Sequence, residues 1–219
     1  MADLRLAEML AALSQVTDLG MGQPAGTAIR TCLLATGLAR RMNLPEPDVA
    51  DVFLTALLQH IGCTAYAHET AAIAGGDDIG FRRAGALVDD ENMREVLAFF
   101  LTGIARGSSP PSRVRAIFRT LRAGPEASRQ LYRANCEVAV RTAERLGLPP
   151  GVQRGLDTIY ARWDGTGMPD LSGEAIAPAA CFAQVAGQAI LFHDLGGPDT
   201  ALATIRARAG TALDPAIAA

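Results

Sequence analysis

The chain contains three histidines, which are the side chains best suited to metal binding or acid–base chemistry near neutral pH. Cys63, His68 and Glu69 follow His60 closely. A structural zinc site would need four ligands at tighter spacing, so this group does not indicate one. His60 also falls on the apolar face of a helix predicted over 49–60. A lone histidine at such a position is typically a hydrogen-bonded core residue.

A literal His-Asp pair occurs at His193–Asp194, directly before Gly196 and Gly197. Glycines of this kind end helices, and a histidine near a helix C-terminus is favoured by the helix dipole. The pair is therefore interpreted as a helix end and not as a catalytic metal pair.

A glycine-rich stretch covers 162–169, and its distinctive residues are Trp163, Asp164, Gly165, Gly167 and Pro169. An aspartate can accept hydrogen bonds within its own turn, and glycine can adopt positive φ. These roles explain the stretch as a structural loop without requiring that it touch a ligand.

Composition favours helix packing, because 49% of the residues are hydrophobic and 5% are aromatic. The net charge of −3 excludes a chain built as a whole to coat nucleic acid. All 20 basic residues are arginines, and nine of them lie within 106–145, where solvated helix faces are the simplest interpretation. Four cysteines without a CxxC pair indicate buried thiols in a reducing cytoplasm. The uncharged run 175–192 is predicted to be a buried helix and not a membrane span, because it contains proline, glycine and glutamine.

Apolar spacing is helical almost throughout, and no period-2 run predicts a strand. The clearest stripe covers 93–104. A helix after it is predicted to stop at Gly124–Pro125, and a further long helix to end near Leu146. Shorter predicted helices cover 151–162, 178–195 and 199–209. We expect one all-α domain over 1–219, with 106–112 as a candidate joint between two subbundles.

Two segments resemble the HD-GYP proteins, a family of helical metal-dependent phosphodiesterases. The stretch 162–169, followed by Gly173–Glu174 and Pro178, is similar to the family's signature loop, and 56–63 is similar to the helix that carries its His-Asp pair. The resemblance implies an HD-domain-like helical bundle. It also implies a dinuclear metal site, and its ligand positions fall on Gln23, Gln59, His60, Asn135, Ile159, Tyr160 and Gly187.

Most of these residues are poor ligands for divalent transition metals, which prefer imidazole and carboxylate. We therefore expect no dinuclear centre, no cofactor and no HD-type phosphodiesterase activity. The resemblance to degenerate domains ahead of LuxR-type helix-turn-helix segments predicts a regulatory, cytoplasmic homodimer that contacts DNA only through a separate domain. The 93–104 stripe is the expected dimer contact, and no membrane contact is expected.

Buried amides and phenols need hydrogen-bond partners, which a small-molecule ligand could supply. Gln23, Gln59, His60, Asn135 and Tyr160 are therefore expected to line one ligand pocket, closed on one side by the loop 163–171. Two alternatives remain open. One is a phosphodiesterase whose metal site is rebuilt from His60, His68 and Glu69, and the other is a purely structural dimerisation module.

Overall fold

The computed structural model describes residues 6–63, 70–71, 77–103 and 110–219. This part of the chain contains helices and no strands, so the all-α prediction is confirmed. The helices are α1 (Leu6–Gly20), α2 (Thr27–Arg41), α3 (Glu46–Leu58), α4 (Asp78–Gly85), α5 (Met93–Gly103), α6 (Pro110–Arg145), α7 (Pro150–Asp157) and α8 (Pro178–Arg208), with a single 3₁₀ turn at Gly173–Ala175.

The centre of the bundle is formed by α2, α3 and the first half of α8, which pack against one another. Small side chains lie at the contacts, and Ala35, Ala39, Ala56, Ala180 and Ala186 are fully buried. Alanine allows helix axes to approach closely, while larger residues fill the space between them. On the other side, α7 packs on α3 and on α6. The end of α3 is thereby brought close to α6 and to the segment after α7.

The start of α2 is fixed by a buried carboxylate. Asp18, which is fully buried in α1, accepts hydrogen bonds from the amides of Gly26 (2.9 Å) and Ala28 (3.1 Å). Burial raises the pKa of Asp18, while these backbone bonds oppose the rise. The amides at the start of a helix otherwise lack partners, so Asp18 serves as their cap. The cap holds the loop that contains Gln23 against the bundle.

Helix boundaries differ from the sequence prediction in two places. The predicted stop at Gly124–Pro125 is wrong, because α6 runs without interruption from Pro110 to Arg145. One proline removes a single backbone hydrogen bond, and a 36-residue helix keeps its ladder on both sides. The predicted helix 151–162 ends at Asp157.

The predicted break near Gly196–Gly197 is confirmed, since both residues leave helical geometry inside α8. Of the candidate joint at 106–112, residues 106–109 lie outside the described part of the chain. Within that part, no helix is long and apolar enough to cross a membrane.

Candidate functional site

The end of α3 places two predicted site residues in a tight turn. Gln59 is the C-cap residue of α3, and the Cys63 amide closes the turn by donating to the His60 carbonyl at 3.0 Å. Within this turn, a Cβ on Gly62 would lie 2.0 Å from the backbone oxygen of Asn135. Only glycine allows this approach, which brings α6 into contact with the turn. Two residues separated by 73 positions are thus neighbours because position 62 has no side chain.

Tyr160 reaches the same place from the segment after α7. Its hydroxyl lies 2.8 Å from the Cys63 sulfur, and the His60 Nδ1 lies 3.8 Å from that sulfur. The ring of Tyr132, from α6, stacks on Tyr160 with centroids 4.6 Å apart. Gln59 directly precedes His60, and its side-chain oxygen would lie 3.3 Å from a Cβ built on Gly187 of α8. The α3-end cluster is defined as Gln59, His60, Cys63, Asn135 and Tyr160.

The ionisable members of the α3-end cluster are held in their neutral forms. Burial lowers the pKa of His60 to about 4 and raises the pKa of Cys63 to about 11. Burial also raises the pKa of Tyr160 well above its ordinary value. The charged form of each group is disfavoured because no nearby opposite charge repays its desolvation. At pH 7 the cluster therefore contains a neutral imidazole, a thiol and a phenol.

Three amide side chains at the predicted site are largely buried, and one of them has an enclosed oxygen without a partner among the described residues. Gln23, Gln59 and Asn135 are 9%, 8% and 6% exposed. Within the described part of the chain, none of these side chains makes a hydrogen bond, and the Asn135 Oδ1 is fully enclosed. Each unpartnered buried amide costs about 1–3 kcal/mol. Buried polar groups are almost always satisfied, so the enclosed Asn135 Oδ1 indicates a place for a donor such as water or a ligand group.

Gln23 lies in the loop between α1 and α2, apart from the other four residues predicted to form the pocket. It follows Gly22, which packs closely against α4. A Cβ built on Gly22 would lie 3.0 Å from the Cβ of Arg83. From the same helix, Arg82 donates to the Gly20 carbonyl at 2.7 Å and slightly lowers the pKa of Cys63 through its charge. The structure records no direct contact between Gln23 and the α3-end cluster. Arg82 is the residue that connects the two.

The signature loop packs against the backbone of Tyr160. The Met168 amide donates to the Tyr160 carbonyl at 3.1 Å, and a Cβ on Gly167 would lie 2.6 Å from the same oxygen. Gly165 has a φ of 83°. Asp164 accepts from the Thr166 amide at 3.0 Å, which is the capping role predicted for it. Trp163 and Pro169 lie in the same loop, and Pro169 follows a cis peptide bond.

A glutamine from α8 fixes the other side of the same segment. The Gln184 side chain donates to the carbonyls of Ile159 (3.0 Å) and Ala161 (2.7 Å), one on each side of Tyr160. The Tyr160 ring is thus positioned by α8 on one side and by the signature loop on the other.

The described residues do not fit a dinuclear metal centre. Within the described part of the chain, no three His, Cys, Asp or Glu residues are grouped closely enough to bind an ion. The positions that the resemblance gives to ligands hold amides, a phenol, an isoleucine and a glycine. His60 is the single imidazole among them. His68 and Glu69, its companions in the rebuilt site considered above, lie outside the described residues.

The His193–Asp194 pair has a structural partner. The Asp194 carboxylate accepts hydrogen bonds from both terminal guanidinium nitrogens of Arg30, at 2.7 and 2.5 Å. These bonds lower the pKa of Asp194. His193 is exposed and lies 3.7 Å from the same carboxylate. The pair links α2 to the end of the first half of α8.

A second polar group was missed by the sequence analysis. Arg162 and Arg208 are 8% and 7% exposed, and together with Asp89 and Glu95 they are defined as the arginine clamp. Arg162 donates to Asp89 at 2.7 Å, and the Asp89 amide donates to Glu95 at 2.8 Å. These residues come from four separate stretches of sequence, and no local spacing marks them.

Arg208 makes the larger set of contacts in the arginine clamp. It donates to Glu95 at 3.1 Å, to the Leu87 carbonyl at 3.0 Å and to Gln188. Its guanidinium also lies over the Phe192 ring, 5.0 Å from the centroid. The clamp holds the segment before α5 against the second half of α8.

Two surface grooves lie beside the arginine clamp, with volumes of about 500 and 540 Å³. Neither groove is lined by any of the five residues predicted to form a ligand pocket. The contacts at Gly62 and Cys63 explain why, since they bring α3, α6 and Tyr160 close together. At the α3-end cluster the structure shows close packing with unsatisfied amides.

Comparison with known proteins gives two matches that extend over nearly the whole chain. No protein-family profile matches. The chain is 27% identical over 211 residues to 3'3'-cGAMP-specific phosphodiesterase 3 of Vibrio cholerae, which covers 96% of this chain and 46% of that protein. It superposes on the crystal structure of a cyclic GMP-AMP specific phosphodiesterase from V. cholerae with a TM-score of 0.67 and 24% identity, covering 97% of this chain and 47% of that one.

These matches show the HD-domain-like helical fold, as predicted. The chain spans about half the length of both relatives. The expectation of a degenerate regulatory domain from a LuxR-type regulator is wrong, because both matched proteins are phosphodiesterases.

Proposed function

We propose that this chain is a phosphodiesterase domain that acts on a cyclic dinucleotide. The observation that carries the proposal is the end-to-end similarity to a 3'3'-cGAMP-specific phosphodiesterase, which leaves only 4% of the chain unmatched. Similarity of this extent includes the α3 end, the α6 contact and the signature loop together. The proposed location is the cytoplasm, which is supported by four free cysteines.

The surface next to the α3-end cluster is the proposed place of substrate contact, because the contacts at Gly62 and Cys63 close the cluster itself. A phosphodiester group carries one negative charge, and its oxygens accept hydrogen bonds. The side-chain nitrogens of Gln59 and Asn135 can donate to such oxygens. The enclosed Asn135 Oδ1, which has no partner among the described residues, is an acceptor and would be satisfied by a hydroxyl, an amino group or water. The Tyr160 hydroxyl, positioned by Gln184 and the loop, is a further donor.

Arg82 is the positive charge nearest to this cluster. Its side chain is 9% exposed, and its Nη2 lies 2.9 Å from the Asp78 carboxylate without the geometry of a hydrogen bond. This nitrogen therefore has a donor left for an anionic group. A buried guanidinium attracts a phosphodiester more strongly than an exposed one, because water screens it less.

Hydrolysis requires a group that accepts a proton from water, and His60 is the candidate. Its imidazole is unprotonated at pH 7, so a ring nitrogen can accept a proton, although the depressed pKa of about 4 makes it a weak base. Cys63 is not a candidate nucleophile, since its pKa of about 11 leaves almost no thiolate. No catalytic step is assigned to metal ions, because the described residues do not fit a dinuclear centre.

The test measures hydrolysis of 3'3'-cGAMP and related cyclic dinucleotides by the purified chain, with and without added manganese or iron. We expect linear dinucleotide as product. His60→Ala should lower the rate at least about 100-fold, the usual contribution of a positioned acid or base. The matched control is His193→Ala, at an exposed position, which should keep the wild-type rate.

Three outcomes are distinguishable. Hydrolysis that depends on His60 supports the proposal. Binding of the dinucleotide without hydrolysis under any metal condition would overturn it, and would assign this chain to substrate binding alone. If the chain neither binds nor hydrolyses the cyclic dinucleotide, this class of compound is excluded as its substrate.

A further inference from the structure

Helix α1 carries its apolar face outward. Five large apolar side chains on it are at least one third exposed: Leu6 (45%), Met9 (53%), Leu13 (39%), Val16 (64%) and Leu19 (58%). A surface helix normally turns such residues toward the core. Scattered exposed apolar residues are common, but a row of them along one helix marks a contact surface.

The inward face of α1 is largely polar and is satisfied within the chain. It consists of Leu10, Ser14, Thr17 and Asp18, all of them buried. Ser14 and Thr17 donate to carbonyls of α1 itself, and Asp18 caps α2. The attachment of α1 to the bundle therefore does not use its apolar stripe, and rotating the helix to bury that stripe would break the cap.

The exposed residues follow the spacing of a helix–helix seam. Leu6, Met9, Leu13 and Val16 are separated by three, four and three residues, which is the a/d pattern of a heptad. They form one narrow row along the two and a half turns that they span. A surface of this shape fits another helix with the same spacing. Glu8 is the one charged residue in the helix outside the buried Asp18, so charge does not oppose self-pairing.

We propose that α1 forms the seam of a two-fold symmetric homodimer, in which it packs against α1 of a second copy. An identical helix supplies the matching spacing without further requirement. The five side chains present roughly 450 Å² of apolar surface, so a two-fold contact buries about 900 Å² before neighbouring residues are counted. This area lies just below that of stable specific interfaces, and the dimer is therefore expected to dissociate in the micromolar range. The proposal does not depend on the phosphodiesterase activity.

The stripe 93–104, predicted above as the dimer contact, is the competing surface. Met93 and Leu97 are 77% and 57% exposed on α5, but the exposed Arg94 lies between them. Leu101 and Ile104 of that stripe fall where the structure gives no side-chain description. The α1 row is longer, with four members at heptad spacing against two described on α5, which favours α1 as the seam.

The first experiment is light scattering of the purified chain over a range of concentrations. We expect a mass rising toward twice 22.9 kDa with concentration. The double substitution Leu13→Glu with Val16→Glu should weaken association at least tenfold, while helical circular dichroism stays unchanged because both residues are exposed. The control is Leu202→Glu, an equally exposed leucine on α8, which should associate like wild type.

Cross-linking gives a second readout that survives if the charged variant fails to fold. The native cysteines are all buried, so an introduced surface cysteine reports alone. Leu13 lies near the middle of the row, close to a two-fold axis for either helix direction. Oxidised Leu13→Cys should give a covalent dimer, and Leu202→Cys should remain a monomer.

Two results would overturn the α1 seam. One is a monomer at every concentration, which would leave the row for another partner, such as a further segment of a longer protein. The other is a dimer that resists the α1 substitutions but is broken by Met93→Glu with Leu97→Glu, which would assign the contact to α5.

Discussion

The α3-end cluster and the arginine clamp are both polar groups inside a helical bundle, and they are built in opposite ways. The clamp uses full charges, and its two arginines are paired with carboxylates, carbonyls and an aromatic ring. The cluster uses neutral groups, and its amides lack partners within the described part of the chain. The charged groups of the clamp have partners within the protein, whereas the cluster keeps an enclosed amide oxygen without one among the described residues.

This difference separates a structural role from a binding role. A buried charge is tolerated only when it is paired, so the contacts of the clamp are a condition of folding. A neutral amide can be buried unpaired at a cost of about 1–3 kcal/mol, which a folded protein can tolerate at one or two places. Such a cost is justified where a ligand or ordered water completes the bonds. We therefore expect the clamp to contribute to stability, whereas recognition by the cluster is the role proposed above.

The largest effect is expected at the clamp. Arg208→Met removes the partner of Glu95 and of the Leu87 carbonyl, and it also removes the guanidinium that lies over the Phe192 ring. The free energy of unfolding should fall by about 3 kcal/mol, as for other broken buried pairs. Arg206→Met, two residues away and exposed, is the matched control and should change it by less than about 0.5 kcal/mol. Urea denaturation measures both, and equal effects would show that the clamp contributes no stability.

A smaller effect is expected from protonation of the cluster. The His60 pKa is about 4 in the folded protein and near 6.5 when unfolded. The unfolded state thus binds more protons between these values, so stability is lost as pH falls from 6.5 toward 4. The loss attributable to His60 should be about 2 kcal/mol at pH 5. Cys63 and Tyr160 keep their protons throughout this range and do not contribute.

The measurement compares urea denaturation at pH 7.5 and pH 5 for wild type, His60→Gln and His193→Gln. The pH dependence should shrink by about 2 kcal/mol in the first variant and stay at the wild-type value in the second. An unchanged dependence in His60→Gln would mean that the imidazole is solvated, and the cluster would no longer count as a neutral interior site.

The smallest effect is expected from replacing an asparagine by leucine, which should raise the free energy of unfolding in the cluster and lower it at the clamp. Asn135→Leu replaces an unpartnered buried amide by an apolar side chain of similar size, so it should raise the free energy of unfolding by about 1 kcal/mol. Asn92 lies beside the clamp, where its side chain accepts from the Arg94 amide at the start of α5. Asn92→Leu should therefore lower stability by about 1 kcal/mol.

Thermal denaturation of the two variants checks this contrast. Asn135→Leu should also weaken binding of a cyclic dinucleotide, if the amide donates to the substrate. Loss of stability in both variants would show that Asn135 is satisfied by ordered water, and the distinction between the regions would then be one of charge alone.

The resemblance found in the sequence predicted the fold correctly and the function wrongly, and the site residues that it selected stay a prediction. Gln59, His60, Asn135 and Tyr160 were selected from separate segments, and contacts at Gly62 and Cys63 bring these segments together. Gln23 was placed in the same pocket, but no contact joins it to the others. The predicted regulatory function is contradicted by the matched proteins, which are phosphodiesterases and of which the chain spans about half.

The sequence by itself determined the helical class, the break at Gly196–Gly197 and the capped turn at Asp164. Each depends on residues within a few positions of one another, where spacing, glycine and side-chain oxygens act locally. The tertiary structure alone decided that α1 turns its apolar row outward, that α6 continues through Gly124–Pro125, and that the clamp is paired while the amides are not. These outcomes depend on which distant segments become neighbours. No local pattern contains that information, because a hydrogen-bond partner is chosen by packing and not by sequence distance.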